Sequence, residues 1–245
     1  MTLLTSILLV LAVIAWIATV LQSQSMALMP GTMGMSLITF VTMWTSMMAA
    51  MMLPSVTPLA TRYIRIIQSQ RLVGLIAFAT GYMAVWATSG ILAFGLAWLT
   101  GRIANWDHTA ALTAAVATYA ACGIYQLTPL KNKCLSQCRA PFFLLLEYAS
   151  WQGPLRHLRV GWHHGFFCLG CCSLLMVLMF VFGVMNIGAM LVLTLVIVIE
   201  KVWTTGDAFP RAVGLVCLAL AVAVIWFPEL APGLLVGPSL MNMTG

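Results

Sequence analysis

Acidic residues are almost absent from this chain. Asp and Glu together number five in 245 residues, against 11 Lys and Arg, and only 7% of the chain is charged. Soluble domains are typically about 25% charged and about 45–50% apolar. Here 62% of residues are hydrophobic, and mean hydropathy is +1.05. So few charges cannot cover the surface of a soluble domain of this length. The scarcity excludes a soluble globular enzyme, a disordered chain and a disulfide-rich secreted domain. The sequence also lacks a Gly-rich phosphate loop, a nucleophile elbow and a zinc-protease helix, and its carboxylates are scattered. No enzyme activity is expected. No polar stretch is long enough for a second domain, so residues 1–245 read as a single integral membrane domain. Its parts are a first span with a Met-rich loop (1–35), a core (36–205), and a last span with a tail (206–245). The basic balance, with a pI of about 9.1, fits cytoplasmic loops of a membrane protein. Lipid is the expected surroundings, and nucleic acid is not an expected partner.

What is present is a series of long apolar runs. A bilayer core of about 30 Å needs about 20 apolar residues in a helix. Seven windows meet or approach this: 3–21, 36–57, 72–99, 109–129, 165–186, 187–203 and 211–228. The expected fold is all-α, a polytopic transmembrane bundle of about seven spans (six to seven). The fifth and sixth windows are parted only near Met185-Asn186-Ile187-Gly188. The first window has no basic n-region and no small-residue cleavage site, so a retained helix is expected. With seven spans, Arg62, Arg65, Arg71, Lys131, Lys133, Arg139, Arg156, Arg159, Lys201 and Arg211 fall on one side. Arg102 alone falls on the other. The positive-inside rule then makes the N-terminus cytoplasmic. The segment 129–164 is the one long polar connection, with 141–148 apolar enough to lie along the interface.

Seven Cys and 17 Met stand out in this background. Thiolate and thioether are soft ligands that select Cu(I); thiolates also suit zinc and iron–sulfur clusters. Cys134 and Cys138 are four residues apart, on one face if helical, and Lys131, Lys133 and Arg139 flank them. Positive neighbours favour the thiolate that binds metal or attacks. The pair reads as metal ligands, as a redox couple without thioredoxin spacing, or as ordinary interfacial cysteines.

His163-His164 precede Cys168, Cys171 and Cys172. On a helix, His164, Cys168 and Cys171 or Cys172 share a face, which Met176 and Met179 extend into the membrane. A metal site is the reading favoured over apolar filling, for which free Cys and Met also serve. Met43, Met47 and Met51 recur every fourth residue, with Met48 and Met52 alongside, ending at Pro54 and Ser55. Met26, Met29, Met33 and Met35 follow one another in the expected outer loop. These thioethers are either a soft-metal stripe or flexible packing.

Glu200-Lys201 ends the sixth window, and snorkelling to the interface is favoured over internal pairing. Asp107-His108 is a weak outer-side metal or proton candidate. Tyr125-Gln126 is placed to orient the connection that follows. Cys122 and Cys217 read as isolated packing residues.

Several of these stretches together resemble one family. They are Ala121-Cys122-Gly123-Ile124-Tyr125-Gln126 with Pro129, Lys131, Cys134, Cys138, Arg139 and Pro141; Gly165 to Cys172 with Leu175, Met176, Gly183, Met185 and Asn186; Met47 to Pro54; Gly81-Tyr82 with Trp86; and Glu200-Lys201. The chain resembles the predicted metal-binding integral membrane proteins, described as copper chaperones, including for bacterial tyrosinase-type enzymes. The resemblance spans roughly residues 40–205. It implies a multi-pass protein of the bacterial inner membrane, Cu(I) as the metal, and a recipient copper enzyme or membrane complex as partner. Cys134, Cys138, Cys168, Cys171 and Cys172 carry over as candidate metal ligands. One departure is Ser173, where an aromatic Trp often follows the double Cys.

The leading reading is a membrane protein that takes Cu(I) on Cys134, Cys138, His164, Cys168, Cys171 and Cys172. Met176, Met47, Met48, Met51 and Met52 would then relay it towards a copper enzyme. The alternative is a structural or accessory subunit of a larger membrane complex, its Ala- and Gly-rich spans suited to close packing. A thiol oxidoreductase is a weaker third.

Overall fold

A computed structural model describes residues 3–26, 31–67, 71–139, 142–202 and 206–235. Every regular element among them is a helix. In order they are α1 (Leu3–Met26), α2 (Leu37–Ile67), α3 (Arg71–Trp106), α4 (His108–Leu127), α5 (Pro129–Cys138), α6 (Phe142–Ser150), α7 (Arg156–Phe182), α8 (Ile187–Val202) and α9 (Ala208–Ala223). A short 3-10 turn at Pro228–Leu230 and the four-residue α10 (Pro232–Leu235) follow.

Each expected window contains or overlaps one long helix. Five helices are long and apolar enough to cross a membrane: α1, α2, α3, α4 and α7. The other two, α8 and α9, have 16 residues each, or about 24 Å at 1.5 Å per residue.

The long polar connection is largely helical instead. It contains α5 and α6, and α7 starts at Arg156, well ahead of its expected apolar window. The apolar stretch within it forms α6, which turns one face to the protein. Leu144, Leu145 and Tyr148 of α6 are buried in the protein core, so this face packs on protein and leaves Leu146 exposed. Pro54 is interior to α2, which runs past it and past Pro58 to Ile67. Each proline leaves a carbonyl one turn back without its amide donor.

The break between α7 and α8 falls where the sequence places it. Gly183 turns the chain at φ 94°, a region open to glycine without steric penalty. Asn186 then caps α8, its Oδ1 accepting from the Ala189 amide at 3.1 Å. Arg102 lies over the Trp98 ring, 4.5 Å from its centre. Met33 and Met35 of the Met-rich stretch pack against the core, while the Met26 side chain, Met29 and Pro30 lie outside the described residues.

Helix α7 is the axis of the bundle, packed on α3, α4, α5, α8 and α10. Its longest interface is with α3, and small residues make it possible. A methyl group at Gly81 of α3 would run into the Leu158 carbonyl, and one at Gly161 of α7 into the Phe78 carbonyl. Such backbone-to-backbone approach is how helices associate where apolar burial gives no driving force. It also sets the Tyr82 hydroxyl against the Cys168 sulfur of α7. Gly161→Ala is expected to lower the melting temperature in detergent, in line with an overpacking penalty of about 1–3 kcal/mol. Gly95→Ala, where the added methyl meets nothing within 4 Å, should not. Equal melting of the two variants would contradict this account of the α3–α7 contact.

Candidate metal site

The site is built where α5 turns back against α7. Thr128 starts α5, its side chain accepting from the Lys131 amide at 3.3 Å, with Pro129 at the first helical position. Proline loses nothing there, since that amide has no partner inside the helix. The helix is ten residues long, enough to carry Lys131 and Cys138 into the core together.

Lys131 is fully buried, and its Nζ lies 2.7 Å from Glu200 Oε2. The same ammonium donates to the Cys171 carbonyl at 2.5 Å. Gln126 Nε2 donates to Glu200 Oε1 at 2.8 Å, and Arg139 Nε to the Glu200 carbonyl at 3.0 Å. Burial alone would lower the Lys131 pKa, but the Glu200 carboxylate and the neighbouring sulfurs outweigh it and hold it above the ordinary range. The lysine stays charged. Glu200 and Lys201 therefore do not snorkel; both are buried, because each has found a partner inside the protein.

Four sulfurs gather beside this ion pair. Those of Cys168, Cys171 and Cys172 all lie within 4.8 Å of one another. Cys138 Sγ comes from α5 to 3.4 Å from Cys171 Sγ, which is 3.2 Å from Cys172 Sγ. All four are buried and free of disulfides. Lys201 Nζ donates to Cys168 Sγ at 3.0 Å and to Ser55 Oγ at 2.9 Å. The Tyr82 hydroxyl lies 2.9 Å from the same sulfur. Converging buried sulfurs, with an ammonium to offset thiolate charge, suit a soft cation and disfavour Mg²⁺ or Ca²⁺, which take oxygen.

The other expected residues fall around this cluster. Cys134 is half-buried, its sulfur facing Gly170 rather than the other four. His164 is buried one turn before Cys168 and stacks on Tyr82 with ring centres 6.2 Å apart. Its Nδ1 has no hydrogen-bond partner among the described residues. His163 turns away to the Tyr148 hydroxyl, 3.0 Å from Nδ1; burial raises the pKa of that tyrosine, which stays neutral. Met176 is buried one turn beyond Cys172. Met47, Met48, Met51 and Met52 are fully buried along α2, which ends this stripe at Ser55, the residue that meets Lys201. Tyr125 reaches the Gly170 carbonyl at 2.5 Å. Sequence reasoning missed Ser55 and Tyr82 as neighbours of the sulfurs, since contacts between distant helices leave no local spacing to read. Cys122 and Cys217 are not isolated, for their sulfurs lie 3.8 Å apart.

A family model described as PpoB2, copper chaperone, matches residues 41–224. The chain belongs to the PpoB2 copper chaperone family. The match covers α3 through α9 whole and most of α2, and so takes in all four clustered sulfurs. No curated protein and no solved structure matches the chain.

In this PpoB2 member, the Lys131–Glu200 pair holds α5, α7 and α8 in register. Lys131→Met or Glu200→Leu alone strands a buried charge and should destabilise by about 3–5 kcal/mol. The double variant Lys131→Met/Glu200→Leu should lose much less. Thermal unfolding in detergent measures all three, and additive losses would show that the two groups do not act as a pair.

Proposed function

We propose that this protein spans the bacterial inner membrane seven times, N-terminus cytoplasmic, and carries Cu(I) to a copper enzyme without chemistry of its own. Cys138, Cys168, Cys171 and Cys172 are its principal ligands. The observation that carries the reading is the convergence of these sulfurs from two separate helices into one buried cluster.

Charge favours a monovalent soft ion. A Cu(I) held by two thiolates has net charge −1, and the Lys201 ammonium beside Cys168 balances it. Four sulfurs around a site that needs two or three allow ligand exchange, so the ion moves without ever being free. Cys134, half-exposed on the same helix as Cys138, serves as the receiving thiol. His164, with its unpartnered nitrogen, adds a ligand one turn from Cys168. Met176 and the α2 thioethers Met47, Met48, Met51 and Met52 extend soft ligation along the bundle towards Met33 and Met35. Neutral thioethers need no deprotonation, which suits the release side. A tyrosinase-type enzyme is the recipient class that the family resemblance favours.

Anaerobic loading of the detergent-purified protein with Cu(I), followed by metal analysis, tests the ligands. Cys171→Ala/Cys172→Ala should lose the copper that the cluster holds, a clear drop in stoichiometry, while keeping the helical content of the parent. Unchanged copper stoichiometry in that variant would remove the cluster as the site.

A further inference from the structure

A second pair of thiols lies outside the four-sulfur cluster. Cys122 is on α4 and Cys217 on α9, two helices that pack along their length. Glycines set their separation. A methyl group at Gly123 would come within 2.8 Å of the Gly214 carbonyl, and one at Gly214 within 3.0 Å of the Gly123 carbonyl. With the backbones this close, the adjacent side chains meet, and Cys217 Sγ is 3.8 Å from Cys122 Sγ. Both thiols are buried, and each faces the other.

Two features go beyond packing. Cys217 lines a cavity of about 530 Å³ between α7, α8 and α9, whose other walls include Leu175, Leu193 and Val213. The one amide on that wall, Asn186, is tied to the Phe182 carbonyl and the Ala189 amide. The pair is also joined to the main cluster. Gln126, one turn after Cys122 on α4, donates to Glu200, which pairs with Lys131, which donates to the Cys171 carbonyl. An ion on either site is therefore felt by the same polar bridge.

The geometry points to a second Cu(I) site, two-coordinate, formed by the sulfurs of Cys122 and Cys217. Two thiols in contact need only part slightly to take one Cu(I) between them. Each gives up its proton on binding, and no electron is transferred. Soft thiolates favour Cu(I) over the hard cations of the cell. This site rests on the reading of Cu(I) as the protein's cargo, and it gives the chain a place to hold one ion while the cluster exchanges another.

The test uses the full chain in detergent, prepared anaerobically and titrated with Cu(I) against a chromophoric Cu(I) chelator. One variant replaces Cys134, Cys138, Cys168, Cys171 and Cys172 by Ala. A second adds Cys122→Ala and Cys217→Ala. The first is expected to retain one Cu(I) per chain and the second none, with equal helical content. Equal retention by the two would overturn the site, as would an intact mass of the first variant showing a Cys122–Cys217 disulfide under the same conditions. If the first variant binds as much as the unmodified protein and the second binds less, the pair stands and the cluster reading fails. If the first variant binds nothing while the unmodified protein binds, the cluster stands and the pair fails.

Discussion

A charged side chain cannot be left unpaired in an apolar helical bundle, and this constraint organises the site. Lys131, Glu200 and Lys201 are all buried. Removing such groups from water is unfavourable by several kcal/mol per ion unless partners replace the water. Lys131 and Glu200 satisfy each other, with Gln126 and the Cys171 carbonyl completing the set. Lys201 has no carboxylate within ion-pair distance among the described residues. Its contacts are Ser55 and the Cys168 sulfur. The protein thus holds one positive charge that calls for a negative one, and sulfur is what stands next to it.

The same constraint explains the part played by α5. A ten-residue helix with mean polarity as high as this one is a poor candidate for burial on its own account. Its inward Lys131 locks it to α7 and α8, and Cys138, two turns further on, is delivered to Cys171 as a consequence. The α3–α7 crossing supplies the other wall. Gly81 and Gly161 let the two backbones touch, which brings Tyr82 to Cys168. The candidate ligands are distributed over segments far apart in the chain, and the Lys131–Glu200 pair and the Gly81–Gly161 crossing that position them do not themselves involve sulfur.

Much of this was legible in the sequence. The apolar windows locate the long helices, and the Met185–Gly188 break is where α7 gives way to α8. The periodicity of Cys168, Cys171 and Cys172 identifies the buried face of α7. Spacing failed where partners are distant. Cys134 and Cys138 share the helical register expected of them, yet only Cys138 joins the cluster, because the direction in which α5 docks is set by Lys131. Glu200-Lys201 looks terminal in hydropathy, and only the meeting of α4, α5, α7 and α2 around it explains its burial. Cys122 and Cys217 are 95 positions apart, and no local pattern announces their contact.

The central claim is that the buried sulfurs of α5 and α7 hold Cu(I) directly. X-ray absorption at the copper edge of the anaerobically loaded protein tests it most directly. In a chain carrying Cys122→Ala and Cys217→Ala, the account predicts a first shell dominated by sulfur around monovalent copper, with low coordination number, and its loss when Cys138, Cys168, Cys171 and Cys172 are replaced as well. A shell dominated by nitrogen or oxygen, or a sulfur shell that survives that replacement unchanged, would contradict it.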